Sequence, residues 1–228
     1  MLSVPWYANG NGRSTLIRWA SSAAVKLESS VSVAPPVQIA RGMPPAKLRI
    51  LETATVLFSS EGIRAVGVDR LIQQSSVTKA TFYKHYGSKD RLIRDYLSAA
   101  SHEMLTELDR LIYSADSARA GLYAIVDSVQ NTLRDDDFRG SLFINAAAEF
   151  PDPRDPVRVI IAEHHETIVN RITQLVQRIG HPLPGEAADQ LMVAYVGALS
   201  WGHVGDPIGA SVAFRRCVDR VLNDFSAS

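Results

Sequence analysis

Val77-Thr78-Lys79-Ala80-Thr81-Phe82-Tyr83-Lys84-His85-Tyr86-Gly87-Ser88-Lys89-Asp90-Arg91-Leu92 is a stretch in which helix boundaries can be placed residue by residue. Thr78 is suited to cap a helix, because its hydroxyl can accept a backbone N–H that the first turn leaves unpaired. Gly87 supplies the left-handed conformation with which many helices stop. Ser88 then caps a longer helix. The helix between, Thr78 to about His85, is too short to be needed for a core alone. Thr78, Lys79, Thr81, Tyr83, Lys84 and His85 surround it with hydroxyls, ammonium groups and an imidazole, which suit phosphate oxygens and base edges. Lys89 stands in the first turn of the next helix, where the helix dipole disfavours a cation, so an outside anion is a physical reason for it.

Leu71 and Ile72 anchor a preceding short helix, Val68 to Ser75, and Ser75-Ser76-Val77 joins the two. Two short helices so connected have the size of a helix-turn-helix whose second helix fits a major groove. Further upstream Leu48, Leu51, Ala54, Thr55 and Phe58 form one helical face, with Pro45 in the first turn and Gly62 as a stop. Downstream, Leu92, Ile93, Tyr96, Leu97, Met104, Leu105, Leu108 and Leu111 make a long stripe that suits a helix joining two domains. Helical spacing continues through Leu122 to Leu133, Leu142 to Ala148, Val157 to Ile179, residues 186–203 and residues 208–224, the last two split by Gly205-Asp206-Pro207. No stretch alternates with period two for the length of a strand, so the fold class is all-α.

Residues 1–44 differ, being rich in Ser, Gly, Asn and Pro, and are expected to be a disordered extension with at most a weak helix from Leu16 to Leu27. They lack the apolar run and cleavage site of a signal peptide. Met43, just before the first patterned helix, is a candidate start of the chain. The formal net charge of zero is unevenly spread: residues 1–42 carry 4 basic and 1 acidic side chains, residues 43–100 carry 9 and 5, and residues 101–228 carry 11 and 18. A basic N-terminal half beside an acidic C-terminal half fits a chain of which only the first half approaches phosphate. The single cysteine, Cys217, excludes an internal disulfide, fits a reducing compartment such as the cytoplasm, and sits where a buried, inert thiol is expected. No run is apolar enough to span a bilayer, so no membrane partner is expected.

The stretch from Val77 to Leu92, with Ile50-Leu51-Glu52-Thr53-Ala54, Phe58 and Glu61-Gly62 before it, resembles the signature of the tetracycline-repressor (TetR/AcrR) family of regulators. The resemblance implies an N-terminal helix-turn-helix DNA-binding domain over residues 45–92 and a ligand-binding and dimerisation domain over residues 93–228. It implies that Thr78, Lys79, Ala80, Thr81 and Lys84 face the groove of a double-stranded operator, that Tyr83, His85 and Lys89 hold its backbone, and that Phe82 and Leu92 are core. Two positions depart from the pattern. Gly67 stands where a Ser or Thr usually caps the second helix, and Ser76 stands where Gly is common and turns more easily. Arg139 to Pro151 resembles a stretch of one subset of the family.

The expected activity is that of a homodimeric regulator, a repressor that a small molecule releases from a palindromic operator. The dimer is expected from Leu191, Ala194, Tyr195 and Ala198 with Val218, Val221 and Leu222. The effector is expected to be apolar or aromatic, held by Tyr123, Phe143 and Trp201 and oriented by Asn145, His165 and His203. Competing readings are an all-α enzyme and an architectural DNA-binding protein without a ligand. The first would have to use His164, His165, Glu149 and His203, which show no recognisable catalytic spacing. Glu163-His164-His165-Glu166 lacks metal-ligand spacing, so neither metal nor cofactor is expected.

Overall fold

The computed structural model describes residues 43–223, so the expected extension up to residue 42, with the weak helix expected within it, lies outside the described residues. The described residues form nine helices and no strand: α1 Pro45–Glu61, α2 Val68–Gln74, α3 Lys79–Tyr86, α4 Lys89–Tyr113, α5 Ala118–Leu133, α6 Leu142–Glu149, α7 Pro156–Arg178, α8 Pro184–Val204 and α9 Pro207–Asn223. Their ends follow the local chemistry. Hydroxyls of Thr78, Ser88, Ser117 and Ser141 and the carboxylate of Asp155 accept first-turn N–H groups of α3 to α7, each such cap being worth about 1 kcal/mol. Gly62 and Gly87 end α1 and α3 at φ 90° and 72°. Gly67 gives α2 no side-chain cap, as its lack of a hydroxyl requires.

Ser76, in the turn between α2 and α3, is the residue other than glycine that adopts a positive φ, 52°, among the described residues. Relief of that conformation is worth about 1–2 kcal/mol, and glycine's greater freedom in the unfolded chain takes back about 0.5–1. Ser76→Gly is therefore expected to stabilise the protein by about 0.5–1 kcal/mol. A melting temperature equal to or below that of the parent would show that the turn carries no such strain.

Two cores result. The first joins Ile50, Ala54, Phe58, Val66, Leu71, Phe82 and Tyr86 of the N-terminal helices to Leu92, Ile93, Tyr96 and Leu97 of α4, and also takes in Phe143 and Ala146 of α6 and Val157 and Ile161 of α7. The second is built from α5, α7, α8 and α9. Helix α4, 25 residues long, runs from the first core to the second, where Leu105, Leu108 and Ile112 pack.

This arrangement corrects two expectations. Leu191, Ala198, Val218, Val221 and Leu222 are buried in the chain's own second core and so are not free to meet another subunit, while Ala194 and Tyr195 are half-buried against that core. The outer face of α8 and α9 instead exposes Val193 (75%), Trp201 (59%), Val204 (75%), Ile208 (75%) and Val212 (40%). Cys217 is exposed, not buried, because its neighbour Val218 takes the inward position.

His164 is a polar residue of the interior, 3% exposed. Its ring stacks on Phe143 with centroids 3.7 Å apart, and its Nδ1 lies 3.0 Å from Ser101 Oγ of α4. Burial, with a smaller push from the adjacent His165, drives its pKa from 6.5 down to about 3. The folded state thus resists a proton that the unfolded chain accepts, so stability is whole above pH 6.5 and declines as pH falls from 6.5 toward 3. At pH 5 the loss is about 2 kcal/mol relative to pH 7. Urea denaturation at the two pH values should show it, and His164→Gln, which can still meet Ser101, should abolish that part of the difference.

Candidate nucleic-acid interface

Helix α3 is held from behind by two aromatic rings. Phe82 and Tyr86 are completely buried, and the Tyr86 hydroxyl donates to the Lys47 carbonyl of α1 at 3.1 Å. Lys47 Nζ lies 5.2 Å from the centre of the Tyr86 ring and 3.0 Å from Asp95 of α4. Burial, reinforced by Asp95, pushes the Tyr86 pKa well above its ordinary value, so the donor is retained. A bidentate pair, Arg70 Nη1 and Nη2 on Glu61 at 2.5 and 2.6 Å, braces α2 on the end of α1. The short helix is thus fixed to α1 directly and linked to α4 through Lys47.

The outer face of α3 carries the residues expected to meet DNA. Thr78, Lys79, Ala80, Tyr83 and Lys84 are exposed, while Thr81 and His85 are half-buried. Thr78 Oγ1 accepts the Thr81 N–H at 3.1 Å and lies 2.8 Å from the Thr81 hydroxyl, so the cap also orients Thr81. Tyr83 leans edge-on against Phe82, with centroids 5.4 Å apart, and leaves its outer part open. Lys79 reaches Asp69 only at 4.0 Å, a distance at which an exposed pair contributes little. Two ammonium groups, two threonine hydroxyls, a phenol and an imidazole therefore share one surface.

Lys89 is placed differently from the other seven. Its Nζ donates to the Arg64 carbonyl at 3.3 Å and lies 5.9 Å from the centre of the Phe58 ring. Burial lowers its pKa. A main-chain carbonyl is thus one partner of the cation that the helix dipole disfavours. The sequence reading also missed the support residues Lys47, Glu61, Arg70 and Asp95, because their partners lie on other helices and no local spacing reveals them.

The six residues expected around an effector are divided among several local surroundings. Phe143 is buried against His164, with His165 edge-on at 6.2 Å. Asn145 Nδ2 donates to the Arg139 carbonyl, and Asn145 and His203 flank Gly140, where a Cβ would come within 3.5 and 3.0 Å of them. Tyr123 donates to Asp219 at 2.7 Å, and Trp201 belongs to the exposed face of α8. A cleft of about 710 Å³ opens elsewhere, between the end of α4, the start of α5 and the end of α7, lined by Ile112, Ala118, Leu175, Arg110 and Arg178 among others. Among the described residues no group of three or more His, Cys, Asp or Glu is placed to hold a metal ion, and no helix is long and apolar enough to cross a membrane.

Residues 50–96 match the family described as bacterial regulatory proteins, tetR family. A solved structure of a TetR-family transcriptional regulator from Streptomyces coelicolor is 35% identical, with a TM-score of 0.75 over 78% of this chain and 95% of that one. A TetR-family regulator from Agrobacterium tumefaciens, 18% identical, shares the fold with a TM-score of 0.67 over 77% of this chain and 96% of its own. The HTH-type transcriptional repressor KstR2 of Rhodococcus jostii is 24% identical over 92 residues, which are 40% of this chain and span 45% of that relative's length.

Proposed function

Because the chain belongs to the TetR family of bacterial regulatory proteins, we propose that it is a homodimeric repressor that reads a palindromic operator with α3 and leaves it when a small molecule binds its C-terminal helices. The observation that carries the reading is the outer face of α3, where Thr78, Lys79, Ala80, Tyr83 and Lys84 stand exposed on a helix fixed from behind by Phe82 and Tyr86. Thr81 and His85 complete the contact from half-buried positions. Lys79 and Lys84 supply cations for base edges or phosphates, and Tyr83 a donor for the backbone. The second copy docks on Val193, Trp201, Val204, Ile208 and Val212, which gives two reading helices for two half-sites about one turn apart. The site of action is the bacterial cytoplasm.

The small molecule is apolar with an anionic group. Ile112, Ala118 and Leu175 offer the cleft apolar walls. Asp109 and Arg110 at its rim already pair with Arg171 and Glu107, which leaves Arg178 for a carboxylate. An enzyme reading is weaker, since Glu149 and His164 are both engaged in contacts that hold helices together.

Selection of random duplexes by the purified protein, followed by sequencing, tests the function. A palindrome with half-sites about 10 base pairs apart is expected, and recovery of no preferred sequence would overturn the reading. On the selected operator, Lys84→Ala should lower discrimination against a substituted half-site by about 1–3 kcal/mol. Lys89→Ala should leave the salt slope unchanged, because the Nζ partner is the Arg64 carbonyl. A slope smaller by about one unit would mean that Lys89 reaches a phosphate.

A further inference from the structure

Glu149 is the last residue of α6, and its carboxylate leaves that helix to meet the connection between α1 and α2. Oε1 accepts the Ile63 N–H at 2.9 Å and Oε2 accepts the Arg64 N–H at 2.6 Å. One carboxylate thus takes two consecutive backbone donors, across 86 and 85 residues of sequence. Gly62 turns the chain into this grip at φ +90°, where a Cβ would lie 3.4 Å from Oε1.

The rest of the connection is held by residues around the same place. Lys89 Nζ donates to the Arg64 carbonyl at 3.3 Å. The Arg64 guanidinium lies 5.2 Å from the centre of the Phe150 ring, and the Phe150 carbonyl accepts from Arg158 of α7 at 3.3 Å. Beneath it Ile63 and Val66 are anchored in the first core, 4% and 0% exposed. Val68 begins α2 just beyond, and α2 carries the turn that presents α3. The path from α6 to the outer face of α3 is therefore a short series of packed or hydrogen-bonded groups. It starts on a helix far from α1 to α3 in sequence.

We infer that Glu149 is a positioning residue for DNA reading: its carboxylate sets the angle of α2 and α3 relative to α6, so that operator recognition depends on where α6 sits. The inference rests on the proposed function, in that α3 must be the reading helix. A merely structural carboxylate would weaken operator and scrambled DNA together when removed. A positioning one weakens the operator selectively, because backbone contacts tolerate a tilt that base-edge contacts do not.

The test uses the full-length protein, the operator it selects and a scrambled duplex of equal length. Glu149→Gln keeps size and shape but puts an amide N–H₂ against one backbone donor, and Glu149→Ala removes both acceptors. Both are expected to speed amide exchange at Ile63 and Arg64, and to cut operator affinity by about tenfold or more with scrambled-duplex affinity within about twofold of the parent. Operator affinity within about twofold of the parent while exchange at Ile63 and Arg64 accelerates would overturn the inference, as would equal losses on both duplexes. If Glu149→Ala does not fold, Glu149→Gln alone decides. Failure of the parent to select any sequence would count against the function, and unchanged exchange in Glu149→Gln against the grip itself.

Discussion

Val204→Asp is expected to leave the protein a monomer at micromolar concentration, and to lower operator affinity by at least about 100-fold. Val204 is 75% exposed on the outer face of α8, so the new carboxylate costs the isolated subunit almost nothing. In a two-fold interface the same residue is met twice, and each copy brings an unpaired charge against Trp201, Ile208 and their symmetry mates. A desolvated carboxylate without a partner costs several kcal/mol. Sedimentation would show the monomer, and circular dichroism would show the helices intact. A dimer that survived the substitution would move the interface away from this face. The contrasting change, Leu191→Ala, should instead destabilise the subunit, because Leu191 is 1% exposed within the second core.

Phe82→Ala is expected to remove about 3–5 kcal/mol of stability, the range for a large aromatic side chain deleted from a packed interior. Phe82 is completely buried and touches the rings of Tyr83 and Tyr86, so the space it leaves cannot close without moving α3. A loss of that size is a large part of the margin of an ordinary domain. Urea denaturation followed by circular dichroism measures it at fixed protein concentration. A loss below about 1 kcal/mol would show that α3 is not supported from behind as described. Operator binding should fail before the protein unfolds, because the hydroxyls and ammonium groups opposite Phe82 lose their common platform.

Much of the first core could be read from the sequence because its determinants are local. Thr78, Ser88 and Gly87 mark helix ends within a few residues, Leu92 follows from helical spacing, and Phe82 is placed in the core by the family resemblance. The outer helices were harder for a physical reason. Helix α8 carries apolar residues on both faces, so Leu191 and Val193 look equivalent until the packing of α5 and α9 decides which is inside. Val218 and Cys217 on α9 pose the same choice. Lys89 was recognised as a misplaced cation, but its partner, the Arg64 carbonyl, is brought near by the fold. Glu149 and the six residues expected around an effector fall in the same class: their surroundings are set by long-range packing, which spacing along one helix does not encode.

The first core has a consequence for building hybrid regulators. A designer exchanging DNA specificities would naturally cut the chain where the reading helices end, near residue 92, and graft another head onto this body. That cut passes through a shared interior, since Ile93, Tyr96 and Leu97 of α4, Phe143 and Ala146 of α6, and Val157 and Ile161 of α7 pack with the helices being replaced. A foreign head would meet seven residues selected to fit another surface. Working chimeras should therefore carry the α4 segment to Leu97 with the donor head and match residues 143, 146, 157 and 161 to it.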